Sequence, residues 1–309
     1  MKAIVNEKGP VVDLRIKTWL ELGKSGIVIL VLVTASLGYL AGFPLESSFS
    51  IFRFLTFHAA LGFLSLGASA LNQIQERSID AKMDRTRGRP LPSGKVSLKL
   101  AKFFSFGCIA LGLLGLSVLS WNLTVLGLLA VLSYNGLYTL WWKPKMAFGA
   151  IPGAIPGALP IWMGYVAATD QLWNPAGIYL FAILFFWQMP HFWILAVKYS
   201  EDYARGGIPT LPVALGNEIA FRHILLWSLG YGGLLLLAPL FFPVRWLYLG
   251  LAILTLVLLV RELRLYSKSE SSRAWLRFFL CVNFSLVGIL CALVADLWSI
   301  YALIPLKTR

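Results

Sequence analysis

Asn72-Gln73-Ile74-Gln75-Glu76-Arg77-Ser78-Ile79-Asp80-Ala81-Lys82-Met83-Asp84-Arg85-Thr86-Arg87-Gly88-Arg89-Pro90 is the most polar run in a chain of 309 residues, and it stands between two long apolar segments. Asn72, Glu76, Asp80 and Asp84 recur every fourth residue. A helix turns about 100° per residue, so each member drifts only about 40° from the last and the four are expected to form one acidic stripe. From first to last the stripe climbs roughly 18 Å and rotates by about 120°, so neighbours can share an ion but all four cannot. Glu76 and Asp80 are the foremost sharers. Acids repeated at the mouth of an apolar helix repel one another unless a cation intervenes.

Carboxylates and an amide oxygen are hard ligands that suit Mg²⁺, an ion that keeps several waters and draws its remaining ligands from substrate phosphates. A phosphate-bearing substrate follows from that chemistry. Arg77, Lys82, Arg85, Arg87 and Arg89 can neutralise phosphate oxygens beyond the metal's reach, the arginines in bidentate fashion. Taken alone, the same basic residues are explained as a cytoplasmic loop that fixes topology.

Composition decides the class around this stretch. With 58% hydrophobic and only 13% charged residues, the chain is too apolar for a soluble domain of its length and reads as a polytopic membrane protein. The net charge of +13 lies between apolar runs and not along an amphipathic face, which sets nucleic acid aside as a partner in favour of the lipid bilayer. Cys108, Cys281 and Cys291 fall inside apolar runs without metal-ligand spacing, so they are expected to be core residues. Residues 1–24 mix acids and bases and show no cleavable signal peptide.

Nine apolar runs are long enough, or nearly so, to cross a bilayer: about 26–44, 50–71, 100–119, 122–140, 149–169, 176–197, 220–242, 246–261 and 277–300. The expected architecture is an all-α bundle of nine transmembrane helices, two four-helix halves plus one helix, in one integral-membrane domain over residues 1–309. With residues 1–24 cytoplasmic, 23 of the 27 Lys and Arg fall on the inside and only Arg53, Arg245, Lys307 and Arg309 outside, which puts the C-terminus outside. The two richest polar connections, 73–99 and 198–219, follow the second and sixth spans. Asp80 and Asp202 thus occupy matching places, and two facing acid clusters can clamp one diphosphate through metal ions.

Tyr138, Thr139, Lys143 and Lys145 fall at the same expected face; by themselves they read as an aromatic belt with basic anchors. Residues 149–160 repeat glycine and proline, which serve close packing or make room for a ligand. In the loop after the sixth span, Lys198, Glu201, Asp202 and Tyr203 precede Gly206-Gly207. The three histidines differ in setting: His223 beside Arg222 reads as structural, whereas His58 and His191 lie inside spans, where an ionisable residue is a functional candidate.

These residues resemble the UbiA superfamily of intramembrane prenyltransferases. Its first motif, Asn-Asp-x-x-Asp-x-x-x-Asp, appears here as Asn72-Gln73-x-x-Glu76-x-x-x-Asp80, followed by Arg85-Thr86-x-x-Arg89-Pro90. Within it the chain is similar to the family that farnesylates protohaem, on Ile79-Asp80-x-Lys82-Met83-Asp84-Arg85-Thr86, Pro190-His191-Phe192-Trp193, and Asp202-Tyr203 leading to Gly207-Ile208-Pro209. Glu76 replaces the usual aspartate, Pro144 follows Lys143 where arginine is usual, and Tyr199 stands where a basic residue is usual beside Lys198.

The resemblance implies transfer of a farnesyl group from farnesyl diphosphate to a vinyl group of protohaem IX in the bacterial inner membrane, with Mg²⁺ as cofactor. It also implies partners in haem A biosynthesis or cytochrome oxidase assembly. Asn72, Glu76, Asp80 and Asp202 would then be metal ligands; Asp80, Tyr138, Lys143 and Asp202 catalytic; and Arg85, Arg89, Lys198, His191 and Tyr203 substrate-binding. His191, or less readily His58, would ligate or orient the iron porphyrin. Prenylation of an aromatic acid or quinone precursor is the alternative within the enzyme class, and a transporter or haem exporter the alternative outside it. A transporter is expected to place its ionisable residues near the bilayer midplane.

Overall fold

The computed structural model describes residues 15–44, 48–269 and 271–302. The expected cytoplasmic segment is therefore described only from residue 15, and Lys307 and Arg309 lie outside the described residues. Among the described residues every regular element is helical. In chain order they are α1 (Ile16–Leu22), α2 (Ser25–Gly42), α3 (Ile51–Asp80), α4 (Leu98–Leu119), α5 (Trp121–Lys145), α6 (Ala150–Thr169), α7 (Pro175–Lys198), α8 (Ser200–Arg205), α9 (Leu211–Leu236), α10 (Trp246–Ser269) and α11 (Ser272–Ala302). All but the short α1 and α8 are long and apolar enough to cross a membrane, which gives nine spans among the described residues.

The spans begin where the sequence offers caps. Ser50, Ser97 and Asn174 each accept a backbone N–H of the first turn through their side chains, at 3.3, 3.4 and 2.9 Å. Several helices outrun the apolar stretch that announced them. α3 continues from the expected end near residue 71 to Asp80 and α10 runs past 261 to Ser269, while α9 is kinked at Gly216 (φ 83°, ψ 164°), which sets residues 211–215 off from the long span that follows. Hydropathy measures the thickness of hydrocarbon, whereas a helix stops only at a cap or breaker, and beyond the bilayer ion pairs sustain it. On α10, Glu262 is buried and is gripped by Arg277 of α11 at 2.8 Å and by Arg261 at 3.2 Å.

Between helices in lipid there is no hydrophobic drive, so close packing and polar contacts hold the bundle. α2 and α6 approach so nearly that a Cβ added at Gly38 would lie 2.0 Å from the Ile161 carbonyl oxygen, and one at Gly164 2.0 Å from that of Ala35. One apolar core joins α2, α3, α4, α5 and α6 around Phe57, Leu116, Leu123 and Leu159; the other joins α6, α7, α9, α10 and α11 around Trp193, Tyr231, Tyr248 and Phe278. Because α6 takes part in both cores, it is the seam between the expected halves. The outward faces carry the apolar side chains instead, with Phe52, Phe103, Val118 and Phe284 strongly exposed to where lipid would lie.

The two polar connections meet at one face of the bundle. The backbone N–H of Asp84 donates to Asp202 Oδ1 at 3.1 Å, and Arg85 donates to the Tyr203 hydroxyl at 3.1 Å. At the opposite face Ser120 and Asn122 engage Asp170. The loops predicted to share a side do so.

Candidate active site

The last three turns of α3 carry the acidic stripe into the bundle. Asn72, Glu76 and Asp80 are all buried, with 1%, 3% and 0% of their surfaces exposed. Burial of charge is tolerated only with a partner, and each member has one from a different element. Lys24, between α1 and α2, donates to Asn72 Oδ1 at 2.5 Å; Lys143, at the end of α5, donates to Glu76 Oε1 at 2.5 Å. One terminal nitrogen of Arg89 reaches both Asp80 oxygens, at 2.8 and 2.7 Å.

The stripe stops at Asp80, which corrects the expectation of four members. Thr86 folds back to donate to the Asp80 carbonyl at 2.8 Å, satisfying the helix end. Asp84 then falls in the following turn, exposed, and pairs with Arg205 at 2.8 Å and Arg87 at 3.4 Å.

α5 supplies the wall facing the stripe. Its stretch Leu132–Trp142 is a π-helix, a widened geometry often found at functional sites. The Thr139 hydroxyl donates to the Tyr134 carbonyl five residues back at 2.8 Å and accepts from Asn72 Nδ2 at 2.9 Å, so the Asn72 oxygen is turned away from Thr139 and toward Lys24. In the same stretch the rings of Tyr134 and Tyr138 stack, 6.2 Å apart and 14° from parallel. Gly153 makes room for them, since a Cβ there would lie 2.5 Å from the Tyr138 ring.

These groups end one cavity of about 540 Å³. Its polar end is built from Lys24, Asn72, Glu76, Asp80, Lys143 and Arg89, with Arg85 and Tyr203 beside them; its body runs between α2, α6, α7 and α11 along apolar side chains, Trp187 and Phe192 among them. Gly149, Gly153, Pro156, Gly157 and Pro160 all line it, so the glycine and proline run of α6 serves the cavity as well as packing. Burial, reinforced by nearby Arg89, pushes the Lys24 ammonium down to about 7. Lys143 and Arg89 stand there beside two carboxylates, and an anion entering next to Lys24 would favour its charged form.

Two expected site residues are not brought to this cavity. Asp202 is tied to Arg205 and to the backbone of Asp84; the Arg205 hydrogen bond and then those backbone N–H groups hold its carboxyl below the usual range. It fastens the two loops together and does not join the stripe. Lys198 lays its ammonium 3.5 Å above the Trp275 ring in a cation–π contact and is not among the residues that line the cavity. Tyr203 does reach the cavity, and Arg85 stacks near it and over Tyr199.

The histidines separate cleanly. His58 has both ring nitrogens engaged, with Ser36 Oγ at 2.7 Å and the Phe54 carbonyl at 2.8 Å, and stands outside the cavity. His223 packs against Phe148 and Trp193. His191 lines the cavity on α7, stacked on Trp187, and its Nδ1 is buried with no partner among the described residues. Lys24 and Tyr134 escaped the sequence reading. Lys24 looks like any cation at the inner end of a first span, and only the repeat of tyrosines four apart could have flagged Tyr134.

Comparison with known proteins places this geometry. The profile of the UbiA prenyltransferase family matches residues 31–304. The protoheme IX farnesyltransferase of Bdellovibrio bacteriovorus is 42% identical over 92% of this chain and 97% of its own, and that of Geobacillus kaustophilus 31% identical over 91% and 92%. In fold the chain is similar to a digeranylgeranylglyceryl phosphate synthase (TM-score 0.73, 20% identity, 91% of this chain and 97% of that one). It is also similar to a UbiA homologue from Archaeoglobus fulgidus bound to DMAPP and Mg²⁺ (TM-score 0.66, 16% identity, 88% and 99%). A nine-span bundle, a buried Asn-Glu-Asp stripe at one end of an apolar cavity, and a profile matching nearly the whole length agree: the chain is an integral membrane protein of the UbiA prenyltransferase family.

Proposed function

We propose that this prenyltransferase moves a farnesyl group from farnesyl diphosphate to a vinyl group of protohaem IX, making haem O. The observation that carries the reading is a cavity charged at one end and apolar along its body, with Asn72, Glu76 and Asp80 each buried against its own cation. The relatives named as protoheme IX farnesyltransferases supply donor and acceptor. Ionisable groups gathered at one end of the spans, and not at mid-membrane, speak for an enzyme over a transporter.

Two carboxylates and an amide oxygen fit Mg²⁺, which completes its shell with water and phosphate oxygens. They fall short of an all-protein cage, and the described residues contain no cluster of three or more metal-binding His, Cys, Asp or Glu side chains. Asn72, Glu76 and Asp80 would hold the ion; Asp202 would join them only by leaving Arg205. Once bound, such an ion neutralises diphosphate and makes it a better leaving group.

The chain's own groups do the rest. Lys143, Arg89 and Arg85 take diphosphate oxygens and stabilise the charge that grows on them. The Tyr138 hydroxyl donates to the departing oxygen. The C1–O bond breaks with its electron pair going to diphosphate, and the allylic cation left behind faces the stacked Tyr134 and Tyr138 rings. Apolar walls exclude water until the vinyl π electrons form the new C–C bond. Water then supplies the hydroxyl and gives up a proton. His191, with its unpaired Nδ1, orients the acceptor from α7, and Tyr203 closes the mouth with Arg85.

In this reading the enzyme sits in the bacterial inner membrane with loops 73–99 and 198–219 cytoplasmic, the N-terminus inside and the C-terminus outside. Its product feeds haem A biosynthesis and cytochrome oxidase assembly. Membranes carrying the chain, given protohaem, farnesyl diphosphate and Mg²⁺, are expected to yield a porphyrin heavier by one farnesyl group and one hydroxyl group, read by mass. Untouched porphyrin alongside a prenylated quinone precursor or aromatic acid would overturn the acceptor.

A further inference from the structure

We propose that Lys24 is a diphosphate-binding residue, and that Gln73 is the positioning residue that delivers it to the site. The inference deepens the proposed function and rests on it. Lys24 occupies the turn between α1 and α2 with φ 52° and ψ 51°, one of two non-glycine residues with positive φ among the described residues. That left-handed conformation is unfavourable for a residue with a Cβ and calls for a surrounding structure that enforces it. From this turn the side chain lines the cavity.

Gln73 enforces the placement. Its amide nitrogen donates to two carbonyls at the end of α1, Glu21 at 2.7 Å and Leu22 at 2.9 Å, while its Oε1 is buried without a partner among the described residues. An ionised acid at this position could only accept and would leave both carbonyls unmatched. The latch spans about fifty residues of sequence and joins the segment that carries Lys24 to the helix that carries Asn72, Glu76 and Asp80.

The partners of the ammonium set it apart. Lys143 has Glu76 and Arg89 has Asp80, but among the described residues Lys24 is hydrogen-bonded only to neutral oxygens, Asn72 Oδ1 at 2.5 Å and the Tyr134 hydroxyl at 3.5 Å. A half-buried cation with no carboxylate of its own among the described residues is poorly compensated. A diphosphate entering beside Asn72 brings the anionic oxygens that the protein withholds, and a charge-assisted hydrogen bond in a dry site is among the strong ones.

The full chain in detergent, titrated calorimetrically with inorganic diphosphate and Mg²⁺, tests this. Wild type is expected to bind; Lys24→Met is expected to bind roughly ten- to a hundredfold more weakly, the factor for losing a hydrogen bond to a charged group. Lys24→Arg should keep most of the affinity. Lys24→Gln, which preserves a donor to Asn72 and removes only charge, carries the same test if the methionine variant does not fold. Gln73→Leu should lose affinity by an intermediate factor and, unlike a merely structural lesion, raise KM for farnesyl diphosphate with little change in kcat. Undiminished binding by the Lys24 variants while wild type binds would overturn the inference and leave the proposed function standing. No binding by wild type would sink both. Wild-type affinity in Gln73→Leu would overturn the positioning role.

Discussion

The two acidic segments at one face of the bundle lie after comparable spans, yet the structure uses them differently. The first, on α3, sends Asn72, Glu76 and Asp80 into a cavity, each matched by a cation from elsewhere. The second, around α8, keeps Asp202 outside the cavity, bound to Arg205 and to the backbone of Asp84. One segment lines the cavity and the other ties the loops together beside it. The difference follows from where the acids sit: a continuous helix fixes the direction of every fourth side chain, whereas a six-residue helix between turns leaves direction to whatever partner arrives first.

The largest expected effect falls on the first segment. Asp80→Asn keeps the size and removes the charge opposite Arg89, and is expected to lower kcat/KM at least about 10²-fold, on the scale of about 3 kcal/mol for a lost charge-stabilising group. The Mg²⁺ concentration for half-maximal activity should rise with it. A loss of only a few-fold, with unchanged Mg²⁺ dependence, would mean that the stripe is structural.

The Glu76–Lys143 pair gives the next largest effect. Removing one partner strands the other in a buried site, so Glu76→Gln and Lys143→Met should each cost roughly ten- to a hundredfold in turnover. The double variant should lose less than the product of the two, because groups in direct contact are not additive. Strict additivity would show that the pair does not act as a unit.

How far the sequence foretold this contrast depends on the element. The spans, the shared face and the stripe as far as Asp80 were legible because apolar length and fourfold spacing are local properties. The end of the stripe was not, since it depends on Thr86 returning to cap Asp80. Nor was the separation of the histidines, which turns on Ser36 and the Phe54 carbonyl engaging His58 while His191 is left open. Nor was the contact of Lys198, whose partner, Trp275, lies 77 residues further along the chain. The π-helical stretch of α5 left no mark in its residues that hydropathy could read.

A smaller effect is expected on the second segment. Asp202→Asn should slow turnover about tenfold or less, by loosening the tie between the loops, and should leave the Mg²⁺ midpoint where it was. The tie should also weaken with acid. The Asp202 carboxyl is held below its ordinary value by Arg205 and the Asp84 backbone, so its contribution to stability is complete above the unfolded value of about 3.9 and is lost as pH falls through the lower folded value. Thermal unfolding of the purified protein across that window measures it. If Asp202→Asn matches Asp80→Asn in depth and shifts the Mg²⁺ midpoint, the carboxylate leaves Arg205 during turnover and the two segments do converge on one site.

The smallest effects sharpen the comparison from outside it. Arg87 shares the basic run with Arg85 and Arg89, but its side chain is 70% exposed and its ion pair is with Asp84 at 3.4 Å, itself 58% exposed. Exposed pairs of this kind contribute about 0.2–1 kcal/mol and are screened by salt. Glu201 is likewise exposed, adjacent to Asp202, and on a helix its side chain diverges from that neighbour by about 100°. Arg87→Gln and Glu201→Gln are therefore both expected to leave kcat/KM and the Mg²⁺ midpoint within about twofold of wild type at physiological salt. The assay is the same product measurement, run beside Asp80→Asn at equal amounts of protein in the membrane. A loss from Arg87→Gln that deepened at low salt would place that arginine on the path of the incoming diphosphate, and the division between buried chemistry on α3 and a solvated turn beyond it would have to be redrawn.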